Sequence, residues 1–281
     1  MKGSSQTRFV PAAGFTIVET LLVLAISSAL FVAIVVTMGG RQHSTEFLQA
    51  TQNLQSKIQQ TLNEVAAGYY PNSNNFKCSD GGASTLNFNG GASTEQGKNE
   101  DCIFLGKIIQ FKVSGGSSSD DRFNIYSIAG LRTAVDLASA KPTVIMCQSG
   151  PARCDATERH TVPYGLSVKS MKIGGAGPSI GSVGFISSLG SFSNSGAYQS
   201  GAQKVDLVAV PNSAIGDDET SGVAKINSQL KNAELPGSLY VNPANGVQIC
   251  LQSGGTNQTA LITIGSNGHD LAVKLEVTTC S

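Results

Sequence analysis

Between Gly14 and Arg41 the chain carries about 24 apolar or small residues in a row, long enough at the 1.5 Å helical rise to cross roughly 30 Å of bilayer hydrocarbon. One charge interrupts the run, Glu19. A carboxylate in hydrocarbon costs roughly 2.5–3.5 kcal/mol even on lenient insertion scales. A plain anchor would place leucine at that position, so the acid calls for a partner.

The remainder reads as an exported domain. The chain has 281 residues with 19 basic and 19 acidic side chains, and the signs stay nearly balanced downstream of Gly68. That balance argues against a general electrostatic footprint for nucleic acid, leaving only a local basic patch for such a partner. Trp is absent and Gly is abundant, which fits a loop-rich β domain better than a helical enzyme core. All six cysteines follow the apolar run: Cys78, Cys102, Cys147, Cys154, Cys250 and Cys280. Behind an export segment an even set reads as disulfides. Pairing of sequence neighbours (Cys78–Cys102, Cys147–Cys154, Cys250–Cys280) is the simplest scheme, with free buried thiols as the alternative. No CxxC occurs and the three histidines are scattered, so no zinc or other metal site is expected.

The apolar run is too long for the core of a cleaved secretory signal, and the small residues Ala12, Ala13 and Gly14 precede it rather than follow it. Lys2 and Arg8 ahead of the run and Arg41 behind it favour a cytoplasmic N-terminus only weakly. A polar leader ends in Gly14, and Phe15-Thr16-Ile17-Val18-Glu19 opens the apolar helix. This arrangement resembles the class III signal of type IV prepilins and type II secretion pseudopilins. The resemblance covers about the first 40 residues, or about 70 with the helix that follows. It departs at Ala13, where the family often has a basic residue, and at Val36, where many pilins have proline.

The resemblance implies cleavage after Gly14 by a membrane prepilin peptidase and methylation of the new amine on Phe15. It also implies assembly with other pilin-like subunits by a cytoplasmic ATPase and a membrane platform protein. The chain would sit as a single-pass protein of the cytoplasmic (inner) membrane with its C-terminal domain outside, then enter a surface filament. Electrostatics accounts for the pattern. In a staggered stack of parallel helices, Glu19 of one subunit meets the terminal amine of its neighbour, and two costly charges become one pair. Breaking such a buried pair typically costs about 3–5 kcal/mol.

From Arg41 to Ala67, apolar residues recur at Phe47, Leu48, Leu54, Ile58, Leu62 and Val65, a helical spacing stopped by Gly68 and Pro71. The pair Gly39–Gly40 is where a bend or loosening is expected. The expected organisation is a leader (1–14), a transmembrane assembly helix (15–38), its amphipathic continuation (39–68) and a β-rich exported domain (69–281). The fold class is α+β, a long helix followed by a mostly antiparallel β domain.

Within that domain the GGAST copies at Gly81 and Gly90 flank a strand-like LNFN, read as a hairpin or ordered loop. Strands are predicted at 103–113, 123–128, 143–147, 164–173, 205–210, 238–241, 246–251, 260–264 and 271–277. Asn242–Gly246 and Ser266–His269 read as turns between antiparallel neighbours, and a short helix is placed within 213–233. Gly174–Gly201, more than half Gly and Ser with Phe185, Phe192 and Tyr198 interspersed, reads as a mobile loop, with an apolar-tipped contact surface as the alternative.

No GxSxG elbow, phosphate loop, HExxH or EF-hand spacing occurs. Asp120–Asp121 and Asp217–Asp218–Glu219 read as solvated turns. No cofactor or enzymatic activity is expected. The functional expectation is a filament subunit, major, minor or pseudopilin. A filament-displayed adhesin or DNA-uptake module and a bitopic membrane enzyme are the alternatives.

Overall fold

The computed structural model describes residues 16–68, 76–80, 86–90, 102–111, 122–131, 140–145, 157–188, 204–211, 219–231, 240–242, 244–254, 257–266 and 271–280. The chain divides into two compact units, Met1–Thr45 and Glu46–Ser281. Helix α1 (Ile17–Ala66) contributes to both. Gly39 and Gly40 do not interrupt it: their cost of about 1 kcal/mol each is distributed over a 50-residue helix. It ends where Gly68, at φ 64°, turns left-handed and donates its N–H to Val65 O at 3.0 Å.

In the first unit, Ile17–Val35 is long and apolar enough to cross a membrane, and none of that span is buried against the rest of the chain. Ile17, Leu21, Leu24 and Phe31 are among its large side chains exposed all round the helix. A surface of this kind needs lipid or other helices around it.

The second unit is α+β and mostly antiparallel. Strands β1 (Phe76–Asp80) and β2 (Leu86–Gly90) form a hairpin. A large sheet runs β5-β4-β3-β8-β9, from β5 (Thr143–Val144), β4 (Arg122–Leu131), β3 (Cys102–Phe111), β8 (Ile180–Ser188) and β9 (Lys204–Pro211). β6 (Thr157–Thr161) extends the line of β5 along the outer side of β4. A smaller sheet runs β12-β11-β10-β7, from β7 (Leu166–Ile173), β10 (Val247–Ser253), β11 (Thr259–Ser266) and β12 (Leu271–Glu276). Helix α2 (Glu219–Lys231) lies between β9 and β10 in sequence.

Two apolar cores follow from strand alternation. One face of the large sheet (Ile109, Phe111, Ile125, Phe185) meets α1 (Phe47, Leu54, Ile58, Leu62, Val65) and the inner face of the small sheet (Ile249, Ile262, Val273). The opposite face (Ile108, Tyr126, Ile128, Val208) packs on Val223, Ile226 and Leu230 of α2. Leu48, placed by its spacing on the apolar stripe of α1, is 39% exposed. It sits one position beyond Phe47, already turned away from the sheets.

Several sequence expectations change. The glycine- and serine-rich stretch expected to be a loop contains β8, a central strand. Its Gly184 is small because the neighbours press close: a Cβ there would lie 2.8 Å from a Val208 methyl. Phe192 and Tyr198 of that stretch lie outside the described residues. Strand β6 is a polar TERHT segment with no strand pattern. Tyr164, expected within a strand, is instead at φ 59° in a turn with Gly165 at φ 65°, which carries the chain from β6 to β7. Asn242–Gly246 is a turn, but it leads from an isolated bridge between Tyr240 and Val208 of the large sheet into β10 of the small one. It therefore links sheets rather than hairpin neighbours. The 267–270 turn lies outside the described residues.

Candidate functional site

Of the three residues the sequence nominates for processing and assembly, Gly14 and Phe15 lie outside the described residues. Glu19 occupies the first turn of α1. Thr16 caps that turn: its Oγ1 accepts the Glu19 N–H at 3.3 Å, and its carbonyl accepts the N–H groups of Glu19 (3.1 Å) and Thr20 (3.2 Å). Thr16-x-x-Glu19 is thus also the pattern of a capping box, a signal legible in the sequence that the family resemblance overshadows. Only one arm of the box is made. The Glu19 carboxylate is exposed and has no hydrogen bond or ion pair among the described residues.

Two hydroxyls of the span close on their own helix. Thr20 Oγ1 donates to Ile17 O at 2.8 Å and Ser28 Oγ to Leu24 O at 2.7 Å. These hydroxyls can enter hydrocarbon with their hydrogen bonds satisfied. Glu19 is different. It gains from the positive end of the helix dipole, but no cation among the described residues pairs with it.

A second cluster lies in the β unit, and sequence reading did not single it out. Lys107, on β3, points from the large sheet toward α1 and is 2% exposed. Its ammonium meets Glu64 of α1, and Glu158 of β6 at 2.8 Å. The other oxygen of Glu158 meets Lys57 of α1 at 2.8 Å and His160 Nε2 at 3.2 Å. The His160 ring stacks on Phe123 with centroids 5.0 Å apart. The adjacent imidazole first, then the two ammonium groups, hold the Glu158 carboxyl well below the ordinary range against the opposing effect of burial. Burial alone would lower Lys107; the two carboxylates outweigh it and leave the ammonium above its ordinary value. The signal in sequence was a lysine inside the apolar run Ile103–Ile109, which must find acids if it is buried.

The flanking residue Arg159 points to the opposite face and grips Glu219 at the start of α2 in a bidentate pair, 2.9 and 2.8 Å. Glu219 is therefore an ion-pair partner rather than part of a solvated acidic turn, while Asp120, Asp121, Asp217 and Asp218 lie outside the described residues. Cys250 on β10 and Cys280 form a disulfide, S–S 2.05 Å. Cys78 and Cys102 lie on β1 and β3 with only their backbones described, and Cys147 and Cys154 lie outside the described residues.

No protein family, curated protein or solved structure matches this chain.

Proposed function

We propose that this chain is a pilin-like structural subunit, rather than an enzyme, whose N-terminal helix is both its membrane anchor and its assembly element. The observation that carries the reading is the Glu19 carboxylate. It is an acid without a partner among the described residues, at the head of an otherwise apolar, uncovered span whose Thr20 and Ser28 hydroxyls bond its own carbonyls. Cleavage after Gly14 would set a new amine on Phe15, four residues before that acid. The amine of a neighbouring copy neutralises Glu19 and fixes the stagger between subunits. The apolar stripe of α1 from Phe47 to Val65 serves as the amphipathic continuation that seats the exported domain. Partners on this reading are other pilin-like subunits, a prepilin peptidase, a platform protein and an ATPase.

Mass spectrometry of the membrane-extracted protein tests the processing step. A mature species beginning at methyl-Phe15 is expected; a product that retains Met1 overturns the assignment. Glu19→Leu tests the assembly step. The variant is expected to be cut and inserted like the parent, yet to give few sheared filaments. Undiminished filament yield would remove Glu19 from the interface.

A further inference from the structure

The segment of α1 that packs on the β unit is held along two flanks. On one side Gln55 Nε2 donates to Val273 O at 3.0 Å and Gln59 Oε1 accepts the Val273 N–H at 3.3 Å. At 3.6 residues per turn, Lys57 and Glu64 fall on the opposite side of the buried stripe, where they meet Glu158 and Lys107. Between the flanks lie Ala50, Leu54, Ile58 and Leu62, spaced four apart and all buried.

Sliding the helix by one turn, about 5.4 Å, keeps the middle of this contact surface aliphatic, although Ala50 would underfill the place of Leu54. Leu54 would take the place of Ile58, and Ile58 that of Leu62, so aliphatic meets aliphatic. The glutamine flank tolerates the same slip in part: Gln55 would replace Gln59, and Thr51 would replace Gln55. The ionic flank does not. A slip of one turn in either direction brings Gln60 or Gly68 to the place of Glu64, and Asn53 or Thr61 to the place of Lys57. Lys107 would then stay buried with one of its two acids gone, and Glu158 would lose one cation.

We infer that the junction built on Lys107 is a register device: it specifies one seating of α1 on the two sheets rather than adding net stability. Buried ion pairs recover little more than the hydration they forfeit, but breaking one leaves an uncompensated charge. Discrimination between adjacent seatings is where such a group acts. Its failure and that of the filament reading are separable, because every residue of the device lies within the second unit, Glu46–Ser281.

The test uses the full chain in detergent, with spin-labelled non-natural residues at the exposed positions Ser56 and Lys274 to avoid the native cysteines. The parent should give one narrow distance between the labels. Lys107→Met removes the buried cation and leaves Glu64 and Glu158 partly solvated. It is expected to melt close to the parent, yet to show a second distance population shifted by about one helical turn, 5.4 Å. Amides of residues 46–66 should exchange at least tenfold faster in that variant, while those of β10 and β11 hold. Glu64→Gln combined with Glu158→Gln strands Lys107 without an acid and should melt well below Lys107→Met. A single unshifted distance in Lys107→Met would overturn the inference. So would a Lys107→Met protein that is the less stable of the two or fails to fold, since the junction would then be a source of stability.

Discussion

The Tyr126 hydroxyl donates to Gln110 Oε1 at 2.9 Å and accepts from Asn124 Nδ2 at 2.9 Å, wholly buried between the large sheet and α2. Burial pushes its ionisation up to about 12. A raised value means the folded state favours the neutral phenol. Its contribution is complete below the unfolded value of about 10 and is lost as pH climbs toward 12. Tyr126→Phe should cost about 1–3 kcal/mol at neutral pH through the polar partners it strands. In equilibrium denaturation between pH 9 and 12, the variant should show a shallower alkaline decline than the parent; parallel curves would count against the assignment.

Glu158 has the opposite sign. Its folded carboxyl titrates below the ordinary range, so its stabilisation is present above the unfolded value of about 4.3 and disappears as pH falls below it. Melting curves from pH 7 down to pH 2 should show Glu158→Gln markedly less stable at pH 7 and converging on the parent in acid. A constant gap across that range would show that the charge is not what matters.

Val273 sits on β12, the outer strand of the small sheet, and the α1 glutamines take the place of a neighbouring strand for its N–H and C=O. Gln55→Ala with Gln59→Ala should cost about 1–3 kcal/mol for two hydrogen bonds. It should also uncover a sheet edge prone to pairing with other chains. The checks are the denaturation midpoint and light scattering, with oligomers rising in the double variant.

Gly106 lies where β3 and β8 nearly touch. A Cβ there would stand 2.0 Å from Phe185 O, a backbone atom that cannot rotate away. Gly106→Ala should therefore destabilise by about 3 kcal/mol or prevent folding, a steep penalty for one methyl group in a strand. Thermal unfolding would register it; a near-native midpoint would mean the strands separate more easily than this packing implies.

The long helix and the antiparallel strands were legible because apolar spacing states them directly, as in Leu54-Ile58-Leu62 or Val247-Ile249-Leu251. Strand β8 was not, since serine and glycine look like loop material until Val208 is seen pressing on Gly184. Residue type there is set by the distance to a neighbouring strand, which a linear reading does not contain. The Lys107 junction was hidden for a related reason. Lys107 and Glu158 are 51 positions apart, and Lys57 and Glu158 are 101 apart, so only the folded topology brings them together. Glu19 stood out because its context was local: one charge in an uninterrupted apolar run.

The Gln55–Val273 contact spans 218 positions and carries a consequence for biogenesis. The helix leaves the ribosome before the strand that completes its bed. Closing so long a loop is slow, and nothing seats this flank of the helix until β12 emerges. During that wait Leu54, Ile58 and Leu62 lack their final cover. Truncations that remove β12 should therefore leave this apolar stripe uncovered and aggregate more readily than the full chain.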